Sequence, residues 1–582
     1  MIILTRHAKS EHNQKNIFAG NRLNTRLIIE GKQEAKEQAV KIAQKYCFDF
    51  IVCSDLKRSY QTAKIYQKKQ KEKYGKKIKI IKTALLSEVD IGAISGMTQL
   101  KANEKYPNDY KNVQSKKIKD WVFTEGENPD LLYKRYKKLR IFLKKFFGKN
   151  VLLVGHAMFN KFILKNWANL DKDNFDHDYY VELPPIKKSI MFFGWFFYPK
   201  VGGAETILLN QARELVKRGY IVSIITSVLD DKKETEDNIF GIKVFRRAYI
   251  DSREIQDEKI INQDLSQIIE EVNPDIFHFH NGSYPSGSKD KAIGVETILK
   301  IFRVIKKFKI PIIEHAHNAQ LKDPEITKPL RQLPWDYLIC VSEFVKQEWR
   351  KLGTNAKKIS VVYNGIDGSL FSKAKIGNTM LNLKKEGQVI LFSPARLFSL
   401  TTGELNKQKN LQLVFDALGI LVKNGVKNFL LVSISNEVYG NEVSKMTKVT
   451  IKKIIEEKKL EGKVKFIPII NPDKMPGFYM GADIVCVPAL FETFGLMYLE
   501  AMAAGKVVIG SNTGGPKEFI KNNKNGFFVD PENAQELSEL LKKLIRNKTL
   551  RNNIGNKAMI DAKNFSIKSM VDQLEVIYKK LN

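Results

Sequence analysis

The chain of 582 residues is too long for one hydrophobic core, since single cores stop growing near roughly 250–300 residues, and length alone predicts about three or four folding units. Its 43% hydrophobic and 28% charged residues are ordinary for a globular protein, and no stretch approaches the roughly 18 uninterrupted apolar residues of a spanning helix. The net charge of +33 is spread as lysine over the whole chain, without an arginine-rich arm or an aromatic-interleaved basic motif, which disfavours nucleic acid and leaves peripheral attraction to an anionic membrane as its readable consequence.

The N-terminus turns polar after four residues and does not read as a signal peptide. Cys47, Cys53, Cys340 and Cys486 show no paired metal-type spacing, and three of them sit in apolar strand-like runs. A cytoplasmic setting, with contact to the inner face of the membrane, is the expectation. The first predicted strand, Met1–Thr5, ends at Arg6-His7. A second, Phe50–Cys53, leads into Ser54-Asp55-Leu56-Lys57-Arg58. A third precedes Leu86-Ser87-Glu88, and a fourth, Val151–Val154, ends at Gly155-His156. Each polar group thus stands at the carboxyl end of a strand, where open α/β sheets place their ligand crevice. Glu182–Lys188, with Pro184-Pro185 and flanking charges, reads as a linker.

From 189 onward apolar strands alternate with helical patterns, which predicts parallel sheets of βαβ units. Ser189–Phe193 is a strand running into the loop Tyr198–Glu205, with Gly202-Gly203. The helix Ala204–Arg218 carries Ile207, Leu208, Ala212, Leu215 and Val216 at helical spacing and closes on Lys217-Arg218-Gly219. Tyr220–Ile225 is the next strand. Others are predicted at 275–279, 310–314, 337–341, 360–363, 389–393, 429–434, 464–468, 484–488 and 506–510. That is too many for one Rossmann sheet and right for two, with 366–388 as the crossing.

The residues after the first four strands suit phosphoryl transfer through a phosphohistidine. A neutral imidazole is the nucleophile, arginines neutralise the phosphoryl oxygens, and a carboxylic acid protonates the leaving oxygen. Over about residues 1–182 this constellation resembles the histidine phosphatase superfamily, with its phosphoglycerate-mutase-like fold. The resemblance implies that His7 accepts the phosphate, that Arg6, Arg58 and His156 form the phosphate pocket, that Asn13 helps bind phosphate, and that Glu88 is the acid. Gly126-Glu127 with Arg135 is similar to the family's later motif. Ala8 replaces the usual glycine, and Ser95 stands where many small phosphatases have glutamate. The short spacer from Glu88 to Gly126 favours a phosphatase over a mutase.

In the second half, the Gly202-Gly203 loop opens a helix whose N-terminus suits a diphosphate. Arg396, after a strand, and Lys409, at the next helix start, suit the charge of a leaving diphosphate. Pro488–Gly505 reads as strand end, loop and helix, with Glu492 in the loop, Leu496 at the turn into the helix and Glu500 within it. Paired glutamates also suit a glycosidase, but the Arg/Lys pair and the Gly-Gly loop are wasted on a neutral substrate. Together with Asn364-Gly365-Ile366-Asp367, Gly514-Gly515-Pro516 with Glu518, and Asn525-Gly526, the pattern resembles the GT-B, family 4 retaining glycosyltransferases over about 189–582.

That resemblance implies donor binding by Gly203, Arg396, Lys409, Glu492, Leu496 and Glu500. It implies no cofactor and no metal, with the donor's own phosphate taking the acceptor's proton. His278 and His280 share one strand face. The family often carries a histidine where Glu314-His315-Ala316-His317-Asn318 falls, and His317 is preferred to His315, while a structural role suits His280 nearly as well.

The expected architecture is therefore α/β. A three-layer αβα phosphatase domain (1–182) and a linker (183–188) precede the GT-B pair of Rossmann-like domains (189–370, acceptor; 371–565, donor). A final helix (566–582) crosses back. The leading expectation is a bifunctional enzyme acting on a nucleotide-sugar donor, a glycan, lipid-linked or small-molecule acceptor, and a phosphomonoester. The alternatives are a transferase whose phosphatase-like module binds a ligand without catalysis, and a basic scaffold.

Overall fold

The computed structural model describes residues 1–581 except 116, 147, 169, 171–176, 178, 185–187, 201, 230–232, 253, 285–290, 320–323, 384, 397–404, 435–440 and 469. Linker residues Pro185, Ile186 and Lys187, Val201 of the Gly-Gly loop, and Leu397 thus lie outside the described residues. The chain divides into two compact units, Met1–Lys188 and Ser189–Asn582.

The first unit is built on five strands, β1 (Ile2–Arg6), β2 (Phe50–Cys53), β3 (Lys79–Lys82), β4 (Val151–Gly155) and β5 (Tyr180–Leu183), in the order β3-β2-β4-β1-β5. Successive side chains alternate between faces. Ile2, Leu4, Val52 and Leu153 pack with Leu132, Leu139 and Leu143 of the helix Pro129–Lys144. Ile3, Ile51, Leu152 and Val154 pack with Ala39, Ile42, Ala63 and Tyr66 of the helices Ile29–Lys45 and Lys57–Tyr74. Three layers result. All pairs are parallel except β1 with β5. Glu182 and Leu183, read as part of the linker, instead belong to β5, paired with Ile3 and Ile2, and Leu183 is buried.

The second unit holds two sheets. One comprises β6 (Ser189–Gly194), β7 (Ile221–Ser227), β8 (Thr235–Ile239), β9 (Ile242–Arg247), β10 (Ile276–His280), β11 (Ile312–Ala316), β12 (Tyr337–Cys340) and β13 (Ile359–Val361), in the order β13-β12-β11-β10-β6-β7-β9-β8. The other comprises β14 (Val389–Arg396), β15 (Phe429–Ile434), β16 (Val464–Ile467), β17 (Ile484–Cys486), β18 (Val507–Ser511) and β19 (Phe527–Val529), in the order β16-β15-β14-β17-β18-β19. The sheets are parallel as expected from the βαβ pattern, save for the hairpin β8–β9, which is antiparallel. Sequence patterning passes over that hairpin and over β19. Thr-Glu-Asp-Asn-Ile of β8 is too polar to read as a buried strand, and it lies at a sheet edge.

Between the sheets the chain forms two short helices, Gly368–Ser372 and Asn378–Leu383. After the second sheet it returns. Ile366 and Ser566 form a parallel bridge, and only glycine fits at 365, since a Cβ there would lie 2.4 Å from the Ser566 carbonyl oxygen. The helix Ile567–Lys580 then covers the helix Gly203–Lys217. Arg218 donates to Asp572 at 2.6 Å and to Glu575 at 3.0 Å, and Gln211 Nε2 donates to the Tyr578 hydroxyl at 3.2 Å. Among the described residues no helix is long and apolar enough to cross a membrane.

Candidate active sites

In the first unit, parallel pairing sets Arg6 beside Gly155, so His7 and His156 leave adjacent strands together. Their ring centroids are 4.8 Å apart. The His7 N–H donates to the Gly155 carbonyl at 3.1 Å. Arg58, at the start of its helix and 1% exposed, donates from Nε to His7 Nε2 at 3.2 Å. Its other nitrogens are anchored on the Leu23 and Gly20 carbonyls at 2.6 and 2.9 Å. His7 Nδ1 lies 2.8 Å from the Ala8 carbonyl. Nδ1 therefore carries the proton, and the Nε2 lone pair faces the guanidinium.

Arg6, His7, Asn13, Arg58 and Glu88 line one cavity of about 290 Å³. His156 is wholly buried beside His7, and neither of its ring nitrogens has a protein partner, as suits a group that contacts bound phosphate. Asn13 turns its Oδ1 to the Ser10 N–H and hydroxyl. Glu88 accepts from the N–H groups of Phe159 at 3.0 Å and Met158 at 3.4 Å, at the start of the helix Ala157–Ile163. Glu127 and Arg135 do not line the cavity. Arg135 forks onto Glu127 at 2.8–2.9 Å, donates to the Ser87 carbonyl at 2.6 Å, and lies 3.8 Å over the Phe159 ring. This pair braces Glu88 from both sides. The short spacer contributes Val113 to the cavity wall, and Ser95 is not part of it.

Burial, with His156, Arg58 and Arg6 beside it, holds the His7 imidazole well below its ordinary pKa, and burial acts likewise on His156. Burial lowers Arg58 only to about 10, so it stays a cation at neutral pH. Two further imidazoles belong to this site, and sequence reasoning gave them no role. His12 Nδ1 lies 2.8 Å from Ser10 Oγ and 3.0 Å from Thr25 Oγ1, and burial pushes it down to about 3. His177 Nδ1 meets the His7 carbonyl at 2.6 Å and is pushed down to about 4, again mainly by burial. His12 lay inside the Arg6–Asn13 run, whereas nothing in the spacing marks His177.

In the second unit, Gly203 is the first residue of the helix Gly203–Lys217, and Leu496 the first of the helix Leu496–Ala503. A Cβ on Gly203 would lie 3.8 Å from Leu496 Cδ1, so the two helix starts face each other across the sheets. Both N-termini suit a diphosphate placed between them. Lys409 Nζ pairs with Glu492 Oε2 at 2.5 Å. Its turn is held by Asn410, whose Nδ2 donates to the carbonyls of Pro488 and Pro531. Arg396 closes β14 where the register with β15 shifts; its side chain is outside the described part. Glu500 accepts from the Tyr479 hydroxyl at 2.7 Å, and burial raises its pKa.

The Gly514-Gly515 pair packs on the Glu492 loop. Gly514 has φ +74°, and a Cβ there would lie 2.1 Å from the Glu492 carbonyl oxygen. The Gly515 N–H donates to that same oxygen at 2.8 Å. Glu518 has a different task, accepting the N–H groups of Glu343 and Phe344 at 2.9 and 3.0 Å and capping the helix Glu343–Leu352. Asn525 is buried, bonded to Phe519 and Asp561.

At the carboxyl ends of β10 and β11, His317 is 9% exposed against 0% for His315. Its N–H donates to Asn281 Oδ1 at 2.8 Å, and its Nε2 lies 2.9 Å from His280 Nδ1. Burial pushes it down to about 3.

Comparison with known proteins places each unit in a family. Residues 2–181 match the family model of the histidine phosphatase superfamily (branch 1). Residues 201–370 match that of glycosyltransferase family 4, and 384–560 that of the glycosyl transferases group 1. N-acetyl-alpha-D-glucosaminyl L-malate synthase of Bacillus anthracis is 24% identical over 389 residues, covering 66% of this chain and 94% of its own. Two solved structures share the fold. Sucrose-phosphate synthase from Thermosynechococcus elongatus superposes with a TM-score of 0.56 at 16% identity, over 68% of this chain and 99% of its own. Anabaena HepE in complex with UDP and glucose superposes with a TM-score of 0.51 at 18% identity, over 67% and 99%.

Proposed function

For a chain that belongs to the histidine phosphatase superfamily in its first unit and to the GT-B family 4 glycosyltransferases in its second, we propose a bifunctional enzyme. The second unit is a glycosyltransferase; the proposal is that it moves a sugar from a nucleotide-sugar donor with retention, while the first unit hydrolyses a phosphomonoester. The observation that carries the phosphatase half is the His7 Nε2 lone pair, directed at Arg58 beside a cavity of about 290 Å³ that Arg6, Asn13 and Glu88 also line.

In hydrolysis, His7 Nε2 attacks phosphorus, the ester P–O bond breaks, and the leaving oxygen takes a proton from Glu88. Water then attacks phosphorus, the P–N bond to His7 Nε2 breaks, the Glu88 carboxylate takes the water's proton, and phosphate leaves with His7 restored. Arg6, Arg58 and His156 hold the phosphoryl oxygens, and Asn13 adds to that grip. In transfer, the donor C1–O bond breaks and the acceptor oxygen bonds C1 on the same face. The departing phosphate takes the acceptor's proton, and Arg396 and Lys409 neutralise its charge. Glu500 grips the ribose, Glu492 the sugar, and His317 faces the acceptor; no metal takes part in this step. A glycan, lipid-linked or small-molecule acceptor suits the reading, and the charge of +33 suits a cytoplasmic enzyme meeting an anionic membrane.

Two assays test it. The wild-type chain is expected to hydrolyse p-nitrophenyl phosphate in a vanadate-sensitive way, and His7→Ala is expected to lose this. No hydrolysis by the wild type would leave the first unit as a module that binds a phosphorylated ligand. A screen of nucleotide sugars by turnover and thermal shift, with Glu492→Ala as control, tests the donor site. The absence of any turnover that depends on Glu492 would remove it.

A further inference from the structure

The chain has eight histidines, and the fold gathers them into two groups of four. His7, His12, His156 and His177 stand with Arg6 and Arg58, whose charge repels a cation. The other four have no such neighbours among the groups that shift their protonation. His278 and His280 share a face of β10, and His280 is in register with His315 of β11. The three rings lie 4.8–5.4 Å apart by centroid and are at most 2% exposed.

Their ring nitrogens divide in a particular way. His278 Nδ1 is bonded to the Tyr578 hydroxyl at 2.8 Å, and His280 Nδ1 to His317 Nε2 at 2.9 Å. The remaining nitrogens, His278 Nε2, His280 Nε2 and both of His315, are buried without a protein partner. Buried polar atoms are ordinarily satisfied, so several orphaned nitrogens on one sheet face point to something that satisfies them. One nitrogen from each of the three residues lies within 4.8 Å of the others.

We propose that His278, His280 and His315 bind a divalent transition-metal ion of the zinc class. Imidazole ligands suit zinc, copper or nickel and not magnesium or calcium. Ligand atoms around a tetrahedral ion at 2.0–2.1 Å are roughly 3.3 Å apart, so the rings draw together on loading. Water takes the fourth position. Tyr578 and His317 already occupy the outer nitrogens of His278 and His280, as ligating histidines require. With Nε2 on the ion, His280 Nδ1 keeps its proton and donates to His317 Nε2, which fixes the His317 tautomer. The ion ties β10 to β11 and orients His317. It departs from the sequence expectation of no metal, but it takes no part in the transfer step and rests on neither reading of the two active sites.

The test uses the untagged full chain expressed in zinc-supplemented medium and dialysed against metal-free buffer. Elemental analysis is expected to find about one zinc per chain, and the double variant His278→Gln/His315→Gln to lose it at least about fivefold. Cobalt substituted into the wild type is expected to give tetrahedral d–d bands that the variant lacks. If the variant fails to fold, X-ray absorption of the zinc-loaded wild type decides. Imidazole nitrogens at about 2.0–2.1 Å support the site, and sulfur at about 2.3 Å overturns it. A folded wild type that holds no zinc and gives no cobalt bands overturns it too.

Discussion

Arg58 donates from its guanidinium to the ring of His7, Nε to Nε2 at 3.2 Å, so a cation faces the nitrogen that, in the proposed reaction, must stay unprotonated to attack phosphorus. The effect on pH dependence follows in sign. Protonation would remove the nucleophile, but burial and the neighbouring His156, Arg58 and Arg6 depress the His7 pKa well below 6.5. Phosphatase kcat/KM, corrected for substrate ionisation, is expected to show no loss with a midpoint near pH 6.5. Such a midpoint, measured between pH 4.5 and 8, would contradict the assignment. With His12 near 3 and His177 near 4, the unfolded chain binds more protons than the folded unit below 6.5. The first unit's stability is therefore fully present above pH 6.5 and falls as pH drops from there toward 4, which calorimetry checks.

Arg135 bears on the same proposed chemistry from outside the cavity. Arg135→Ala releases Glu127, the Ser87 carbonyl and the face of Phe159, whose N–H holds Glu88. A misplaced acid costs up to about 100-fold, so p-nitrophenyl phosphate kcat is expected to fall about 10–100-fold. An unchanged kcat would show that Glu88 needs no such brace.

Gly514→Ala places a Cβ against the Glu492 carbonyl and forces an alanine to φ +74°. The Glu492 loop must move. Donor KM is expected to rise about tenfold or more, equivalent to about 1.4 kcal/mol, with the circular dichroism of the chain retained.

Tyr479→Phe removes the hydroxyl that donates to Glu500. Burial raises the Glu500 pKa and this hydrogen bond opposes the rise, so its loss raises the pKa further. Donor KM of the variant is expected to climb more steeply than that of the wild type as pH falls from 8 to 6. Parallel profiles would take Glu500 out of ribose binding.

Arg218→Ala breaks the contacts to Asp572 and Glu575. Because Asp572 is 55% exposed, the expected loss is about 1–2 kcal/mol in urea unfolding of the second unit. No change would mean that apolar packing of the Ile567–Lys580 helix suffices.

The cluster around His7 was legible where its residues follow apolar strands, His7 and His156 directly and Arg58 at the start of the next helix. His177 was not, because a residue 170 positions from His7 reaches it only through tertiary folding. The Glu492–Glu500 segment read cleanly as strand end, loop and helix. Glu518 sat in the same motif set, but its cap on Glu343 and Phe344 depends on a strand-to-strand arrangement that no local spacing reports. For the same reason His278 and His280 could be placed on one face by their period of two, while the pairing of His280 with His315 could not. The strand β8 escaped because an edge strand need not be apolar.

The contact of Arg218 with Asp572 joins residues 354 positions apart. During synthesis at about 5–20 residues per second, the helix Gly203–Lys217 emerges tens of seconds before the segment that covers it. The first unit, closed by residue 188, can finish folding in that interval. The sheet β6–β13 cannot complete its packing in that interval, because the helix Gly203–Lys217 is covered by Ile567–Lys580 only when the chain returns.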